Sequence, residues 1–200
     1  MEGQKIFFTS DLHFGHENVL RFDNRPFATV EEMEEELIKR WNNKVGKGDL
    51  VYVLGDLIWK TETNEAARIL KRLNGQIILI KGNHDRFLHN AAAKKALAGI
   101  KDYDDISVTL EDGTARRCIL SHYFIPFYNG HRYNAIHLHG HSHFTAEATD
   151  EFLIEKALNE KGYNLQIYNV GCMYWNYAPV TLDEILKTKE QRIDKKCDIM

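Results

Sequence analysis

The stretch HLHGHSH (137–143) puts four of the ten histidines into seven positions. Neutral imidazole is the commonest protein metal ligand near neutral pH. Seven residues cannot enclose a metal alone, so partners must come from elsewhere in the chain. Groups of the same chemistry lie upstream: Asp11 and His13 in DLH, Asp56 in Gly55-Asp56, Asn83, His84 and Asp85 in GNHD, and His122. Carboxylate, amide and imidazole without thiolate suit divalent Mn, Fe, Zn, Co or Ni. The set is too large for one tetrahedral ion, but about right for two ions sharing a bridging carboxylate.

Each group follows a short apolar run that reads as a buried strand. These runs are KIFFTS (5–10), LVYVLG (50–55), IILIK (77–81), RCILS (117–121) and AIHLH (135–139), with LQIYNV (165–170) as a further one. DISVTLE (105–111) meets TARRCILS across Asp112-Gly113, a hairpin signal. Strand ends hold side chains rigidly, and open α/β folds place ligands beyond them. A neighbouring glycine lets the backbone turn sharply and approach closely. Apolar residues at spacings of three and four predict helices over 30–45 and 64–73, and composition predicts others over 86–98 and 150–161. The tail 183–196 reads as a polar helix or a frayed end. Early β-α alternation followed by a β-rich second half predicts one α/β layered domain over residues 1–200, its last stretch from about 183 being that tail.

A hydrophobic content of 44% allows a substantial core, and a formal net charge of -3 gives no global electrostatic case for a nucleic-acid backbone. The three cysteines, Cys118, Cys172 and Cys197, are odd in number and widely spaced with no CxxC, which fits a reducing compartment. The start MEGQKIFFTSD lacks the pattern of a signal peptide. No apolar run approaches a membrane span. Asp198 in the terminal CDIM sits where a prenylation box wants an aliphatic residue. A cytoplasmic protein with no membrane partner is the expectation.

The ordered series DLH, GD, GNHD, a lone His and GHSH, spanning residues 11–143, resembles the calcineurin-like metallophosphoesterase superfamily. The opening SDLHFGHENVLRF is similar to a small stand-alone branch found in bacteria and phages, and YNVGC (168–172) is similar to the family's closing strand. The resemblance implies a β-sandwich flanked by helices, with the active site at strand C-terminal ends. It implies a first metal on Asp11, His13 and His143, a second on Asn83, His122 and His141, and Asp56 bridging them. Manganese is the first expectation for the two divalent ions, with Fe, Zn, Ni or Co as alternatives. It further implies direct attack of hydroxide generated at the metals, with no covalent enzyme intermediate, and His84 as general acid.

Two departures bear on specificity. The protein-phosphatase branch has an aspartate supporting the general acid where this chain has Trp59, and a phosphate-clamping arginine where it has Lys60. Lysine keeps the charge but loses the bidentate fork. Both count against protein phosphatase activity. The missing clamp favours a phosphodiester, since a monoester dianion gains more from extra fixed cations. Phosphomonoesterase activity, and a non-catalytic scaffold on the same fold, remain the alternatives. Lys60 and His16 are candidate substrate-binding residues, and Asp85 a candidate partner for His84. The aromatic loop YFIPFYNGHRY (123–133) is either one wall of a cleft for a small, nucleotide-like phosphate ester or plain packing. Long nucleic acids are not expected, and nothing in the sequence addresses oligomeric state. His137 and His139 alternate on one strand face and suit burial beside the site, with a hydrogen bond that orients a ligand, as well as ligation. For His89, His131, Arg21 and Arg25, a solvated surface position is the default, and the acidic run 31–36 reads as a solvated helix face.

Overall fold

A computed structural model of the protein describes residues 3–59 and 64–188. In chain order its strands and α-helices are β1 (Ile6–Thr9), α1 (Val19–Phe22), α2 (Val30–Lys44), β2 (Leu50–Leu54), α3 (Glu65–Arg72), β3 (Gln76–Ile80), α4 (Ala91–Lys95), β4 (Gly99–Lys101), β5 (Asp104–Thr109), β6 (Ala115–Leu120), β7 (Ile136–His139), α5 (Ala146–Glu160), β8 (Ile167–Asn169) and β9 (Val180–Thr181). A final helical stretch covers residues 182–188.

The strands form two sheets. One has the order β4-β3-β2-β1-β9, with the first four parallel and β9 antiparallel to β1; the other has the order β5-β6-β7-β8. In the second sheet β5 and β6 make the expected antiparallel hairpin around Gly113, while β6, β7 and β8 run parallel. Side chains alternate across each strand. Phe8, Tyr52, Leu54 and Ile80 of the first sheet meet Cys118, Leu120, Ile136 and Leu138 of the second in a shared core. The opposite face of the first sheet, Phe7, Val51, Val53, Ile77 and Leu79, packs against Met33, Leu37 and Trp41 of α2 and Ala66, Ile69 and Leu70 of α3. Fully burying a side chain such as Leu37 stabilises by about 1.5–3 kcal/mol. The outer face of the second sheet carries a smaller cluster around Ile119, Tyr128, Leu165 and Ile167, with Leu158 of α5 against it. This is the helix-flanked β-sandwich that the resemblance implied.

Helix α2 starts where its chemistry directs. Thr29 is the N-cap and its hydroxyl accepts from Glu32 N–H, while Glu31 and Glu32 place negative charge on the first turn. The helix expected over 86–98 is broken in two. A 3-10 turn covers Arg86–His89, then Asn90 accepts from Ala92 and Ala93 N–H and restarts the chain as the short α4. Helix α5 begins four residues before its expected start. Strands β4 and β9 and the single turn α1 were not foreseen; each is four residues or fewer. The tail is helical as far as residue 188, and its remainder, with Cys197, lies outside the described residues. Among the described residues no helix is long and apolar enough to cross a membrane.

Candidate metal centre

The ends of β1 and β2, and those of β6 and β7, are laced together by the backbone. Asp11 N–H donates to Gly55 C=O, His13 N–H to Asp56 C=O, and Gly140 N–H to His122 C=O. The approach requires glycine at three of the motif turns: a Cβ on Gly55 would stand 2.2 Å from His122 Nδ1. A Cβ on Gly82 would stand 2.2 Å from Asp56 Oδ1, and one on Gly140 would stand 2.0 Å from Ser10 Oγ. Asp11, His13, Asp56, His141 and His143 all have left-handed backbones, with φ between 47° and 73°. Such strain costs on the order of 1–3 kcal/mol per residue and persists only where the surroundings over-determine it.

Five of the candidate residues converge in one buried cluster. Asp11, His13 and His143 bring one donor atom each within 4.8 Å of one another, as do Asp11, Asp56 and His122. Asp56 Oδ2 lies 3.6 Å from His13 Nε2 and 3.7 Å from His122 Nε2, between the two groups. Its other oxygen, Oδ1, accepts His84 N–H at 2.9 Å. His143 Nε2 is 3.2 Å from His13 Nε2 and 3.6 Å from Asp11 Oδ1. His122 donates its Nδ1–H to Leu54 C=O at 2.8 Å, which turns Nε2 towards the cluster and to within 3.0 Å of Asn83 Oδ1. Asn83 and His141 border the cluster, Asn83 exposed and His141 half-buried. His141 donates its backbone N–H to Asp11 Oδ2, while its Nε2 leans to 3.8 Å from Glu147.

Burial pushes the Asp11 carboxyl up, although His143 and His122 oppose it. Asp11 Oδ1 is buried with no hydrogen-bond partner. Burial and the neighbouring His143 hold His13 well below the ordinary imidazole value. His143 goes the other way: burial lowers it, but Asp23 and Asp11 outweigh that and raise it. Buried carboxylates, one with an orphaned oxygen, facing imidazole nitrogens are costly without compensation. The donor set fits divalent cations, which would supply that compensation.

A surrounding layer holds these side chains, and most of it was invisible in the sequence. Asp23 Oδ2 lies 3.3 Å from His143 Nδ1 and accepts from Arg25 Nε at 2.8 Å. Arg25 is buried, not solvated as expected, and its remaining nitrogens donate to Asp11 and Leu12 carbonyls. Asp85 is not the partner of the His84 ring. Its carboxylate accepts Asp56, Leu57 and Gly82 N–H, stapling two motif turns together, and burial raises it to about 6. Two of those donors lie 29 and 28 residues from Asp85, a pairing that no spacing rule identifies.

His84 is half-buried, with its ring 5.8 Å from that of His13 and 4.8 Å from Trp59. His16 stacks flat on Trp59, with centroids 3.8 Å apart, and its ring is 5.4 Å from His13. Lys60 lies outside the described residues. His137 is structural: Nδ1 hydrogen-bonds Ile119 C=O, Nε2 accepts Ile125 N–H, and the ring packs on Tyr128. His139 is likewise buried in the strand, hydrogen-bonded to Gly140 C=O. Of the aromatic loop, Tyr123 faces His122 and His141, whereas Phe124, Ile125 and Tyr128 pack on the outer face of the second sheet. His89 is exposed as expected and His131 half-buried.

Comparison with known proteins agrees with this geometry. The family model for calcineurin-like phosphoesterases matches residues 4–189. An uncharacterised protein of Methanocaldococcus jannaschii is 35% identical over 206 residues, covering 96% of this chain and 94% of its own length. The Gene 66 protein of Mycobacterium phage D29 is 30% identical over 161 residues, 69% of this chain and 78% of that protein. Among solved structures, a protein of unknown function from Aquifex aeolicus matches with a TM-score of 0.67 at 26% identity, covering 92% of this chain and 99% of that one. With the family matched over nearly its whole length and the motif side chains brought to one centre, this chain belongs to the calcineurin-like phosphoesterases.

Proposed function

We propose that the protein is a dinuclear metal-dependent phosphoesterase that favours phosphodiesters. The observation that carries the reading is the buried cluster of Asp11, His13, Asp56, His122 and His143, with Asp11 Oδ1 left without a partner. Asp11, His13 and His143 would hold one ion, Asn83, His122 and His141 the other, and Asp56 Oδ2, lying between the groups, would bridge them. Manganese is the first choice for both. When bound, such a pair supplies hydroxide at neutral pH and neutralises phosphoryl charge.

The chain's own residues do the rest. Asp56 is held by His84 N–H, and His122 by Leu54 C=O, so the donors do not reorganise when substrate arrives. His84 stands at the edge of the cluster and gives the leaving oxygen its proton. Trp59 and His16 back that histidine with a flat aromatic face in place of a carboxylate.

The diester preference is supported by where the arginines go. Arg25 is consumed by Asp23 and two backbone carbonyls, and Arg21 donates to Asn18 at the surface. The Arg25 fork is therefore not free for a monoester dianion. A nucleotide-like substrate is supported by the exposed aromatic rim of the centre: Phe22, Trp59 and Tyr123 are 57%, 38% and 50% accessible and flank His16, His84, His122 and His141. The buried free thiols of Cys118 and Cys172 fit a reducing, cytoplasmic location.

The test strips metal with chelator, restores Mn²⁺, and compares turnover of bis-p-nitrophenyl phosphate with p-nitrophenyl phosphate. Faster diester turnover, lowered about 10²–10⁴-fold in His84→Ala, is the expected result. A monoester preference removes the diester reading and keeps the metal centre. No turnover of either with metal bound points to the scaffold alternative.

A further inference from the structure

Helix α5 has an inverted face. Glu151 is its only buried residue, while Phe152, Leu153 and Ile154 beside it are exposed. A glutamate is almost never buried unless paired, yet no lysine or arginine meets this one among the described residues. Its Oε2 accepts the Ser142 hydroxyl at 2.7 Å. The same hydroxyl oxygen accepts from Asn169 Nδ2 at 3.0 Å, and Asn169 Oδ1 accepts Gly171 N–H at 2.8 Å. The result is a directed relay, from the end of β8 through Ser142 to α5, in which every polar atom named has a partner. A cavity of about 150 Å³ lined by His139, Glu151, Phe152, Asn169 and Tyr174 lies alongside.

Ser142 sits between His141 and His143, whose φ values of 73° and 47° are ones L side chains rarely adopt. Neither residue holds that conformation by itself. His141 N–H is held by Asp11 Oδ2, His143 C=O by Tyr174 O–H and Ser142 C=O by Thr145 Oγ1–H, and between the two histidines the Ser142 side chain is buried towards α5. We propose that Glu151, acting through Ser142 and braced by Asn169, is a positioning residue that keeps His141 and His143 aimed at the metal centre. This rests on the metal-centre reading above. Outer-sphere partners fix ligand orientation in just this way, at one remove from the ion.

The experiment titrates Mn²⁺ into metal-free full-length protein, reading free Mn²⁺ by electron paramagnetic resonance, beside the unfolding midpoint of each metal-free form. Ser142→Ala and Glu151→Ala are each expected to weaken Mn²⁺ binding about 10–100-fold. The double variant should be no weaker than either single one, because both changes break the same relay. Glu151→Gln, which can still accept the serine proton, should bind like wild type. Unchanged Mn²⁺ affinity in the single variants, or losses that add in the double, would overturn the proposal. So would a lowered unfolding midpoint with no change in affinity, since that is what a purely structural role predicts. If Glu151→Ala does not fold, Ser142→Ala against Glu151→Gln makes the same comparison. Wild type that binds no Mn²⁺ removes the metal-centre reading and this proposal together, whereas wild type and variants binding alike remove this proposal alone.

Discussion

Residues 137–143 carry two pairs of histidines separated by one glycine, and the two pairs live in different worlds. His137 and His139 lie in β7 with extended backbone, buried on the outer face of the second sheet. His137 has both ring nitrogens engaged by backbone groups, Ile119 C=O and Ile125 N–H. His141 and His143 lie past Gly140 in left-handed backbone, at the edge and in the heart of a cluster of buried carboxylates and imidazoles. The difference teaches that imidazole is assigned its work by what its nitrogens meet. Where backbone groups saturate both, the ring is a packing unit with fixed orientation; where a nitrogen meets carboxylate oxygens, it is open to the ligand role proposed above for His141 and His143. Alternation in the strand puts the first pair on one face, and the glycine turn redirects the second.

Breaking the comparison at its functional side should give the largest effect. His143→Ala is expected to weaken Mn²⁺ binding by more than the roughly 10–100-fold typical of outer partners, and to lower the urea midpoint of the metal-free protein only modestly, because Asp11 and Asp23 lose the imidazole they face. Metal titration and denaturation of the same preparation check both halves, and a loss of stability without loss of affinity would reverse the assignment.

His137→Ala should do the opposite. It strands Ile119 C=O and Ile125 N–H and leaves a void against Tyr128, for a loss of about 2–5 kcal/mol in unfolding free energy. Mn²⁺ affinity of the folded protein should stay near wild type. A large fall in affinity would show that β7 transmits to the loop and that the two pairs are not separable.

A smaller effect sharpens the contrast by pH. Burial pushes His137 down to about 4, although its hydrogen bonds to backbone act upward. Between the unfolded value near 6.5 and about 4, the unfolded chain binds the extra proton, so stability falls as pH falls. The contribution is intact above about pH 6.5 and should be reduced by about 2 kcal/mol at pH 5. Urea midpoints of wild type and His137→Gln at pH 7 and pH 5 isolate it, since the variant lacks this group's share of the slope. Parallel slopes would mean that the ring titrates in the folded protein.

Much of the centre was legible because its parts are local. A run of apolar residues ending in Gly-Asp, Gly-Asn-His-Asp or Gly-His-Ser-His announces a strand and what its end presents, and the hairpin at Asp112-Gly113 was readable for the same reason. Asp23 and Arg25 were not, because their importance lies in reaching Asp11, Leu12 and His143 across the fold. Arg25 looks like any surface arginine until those carbonyls are seen to surround it. Glu151 is a sharper case: in a helix carrying Phe152, Leu153 and Ile154, pattern reading buries the apolar residues and exposes the acid, and the fold does the reverse. Asp85 sits beside His84 in sequence, but its carboxylate turns away to three backbone donors. The short strands β4 and β9 depend on pairing with a neighbour for their existence, which two or three residues of sequence do not encode.

The central claim is that one buried cluster, with Asp56 between its halves, holds two ions at once. The most direct measurement is electron paramagnetic resonance of the protein loaded with two equivalents of Mn²⁺, with Asp56→Asn as the comparison. Two bound ions with an exchange-coupled spectrum in wild type, replaced by uncoupled or lost Mn²⁺ in the variant, is the predicted result. A single bound ion, or two that show no coupling in wild type, would contradict it.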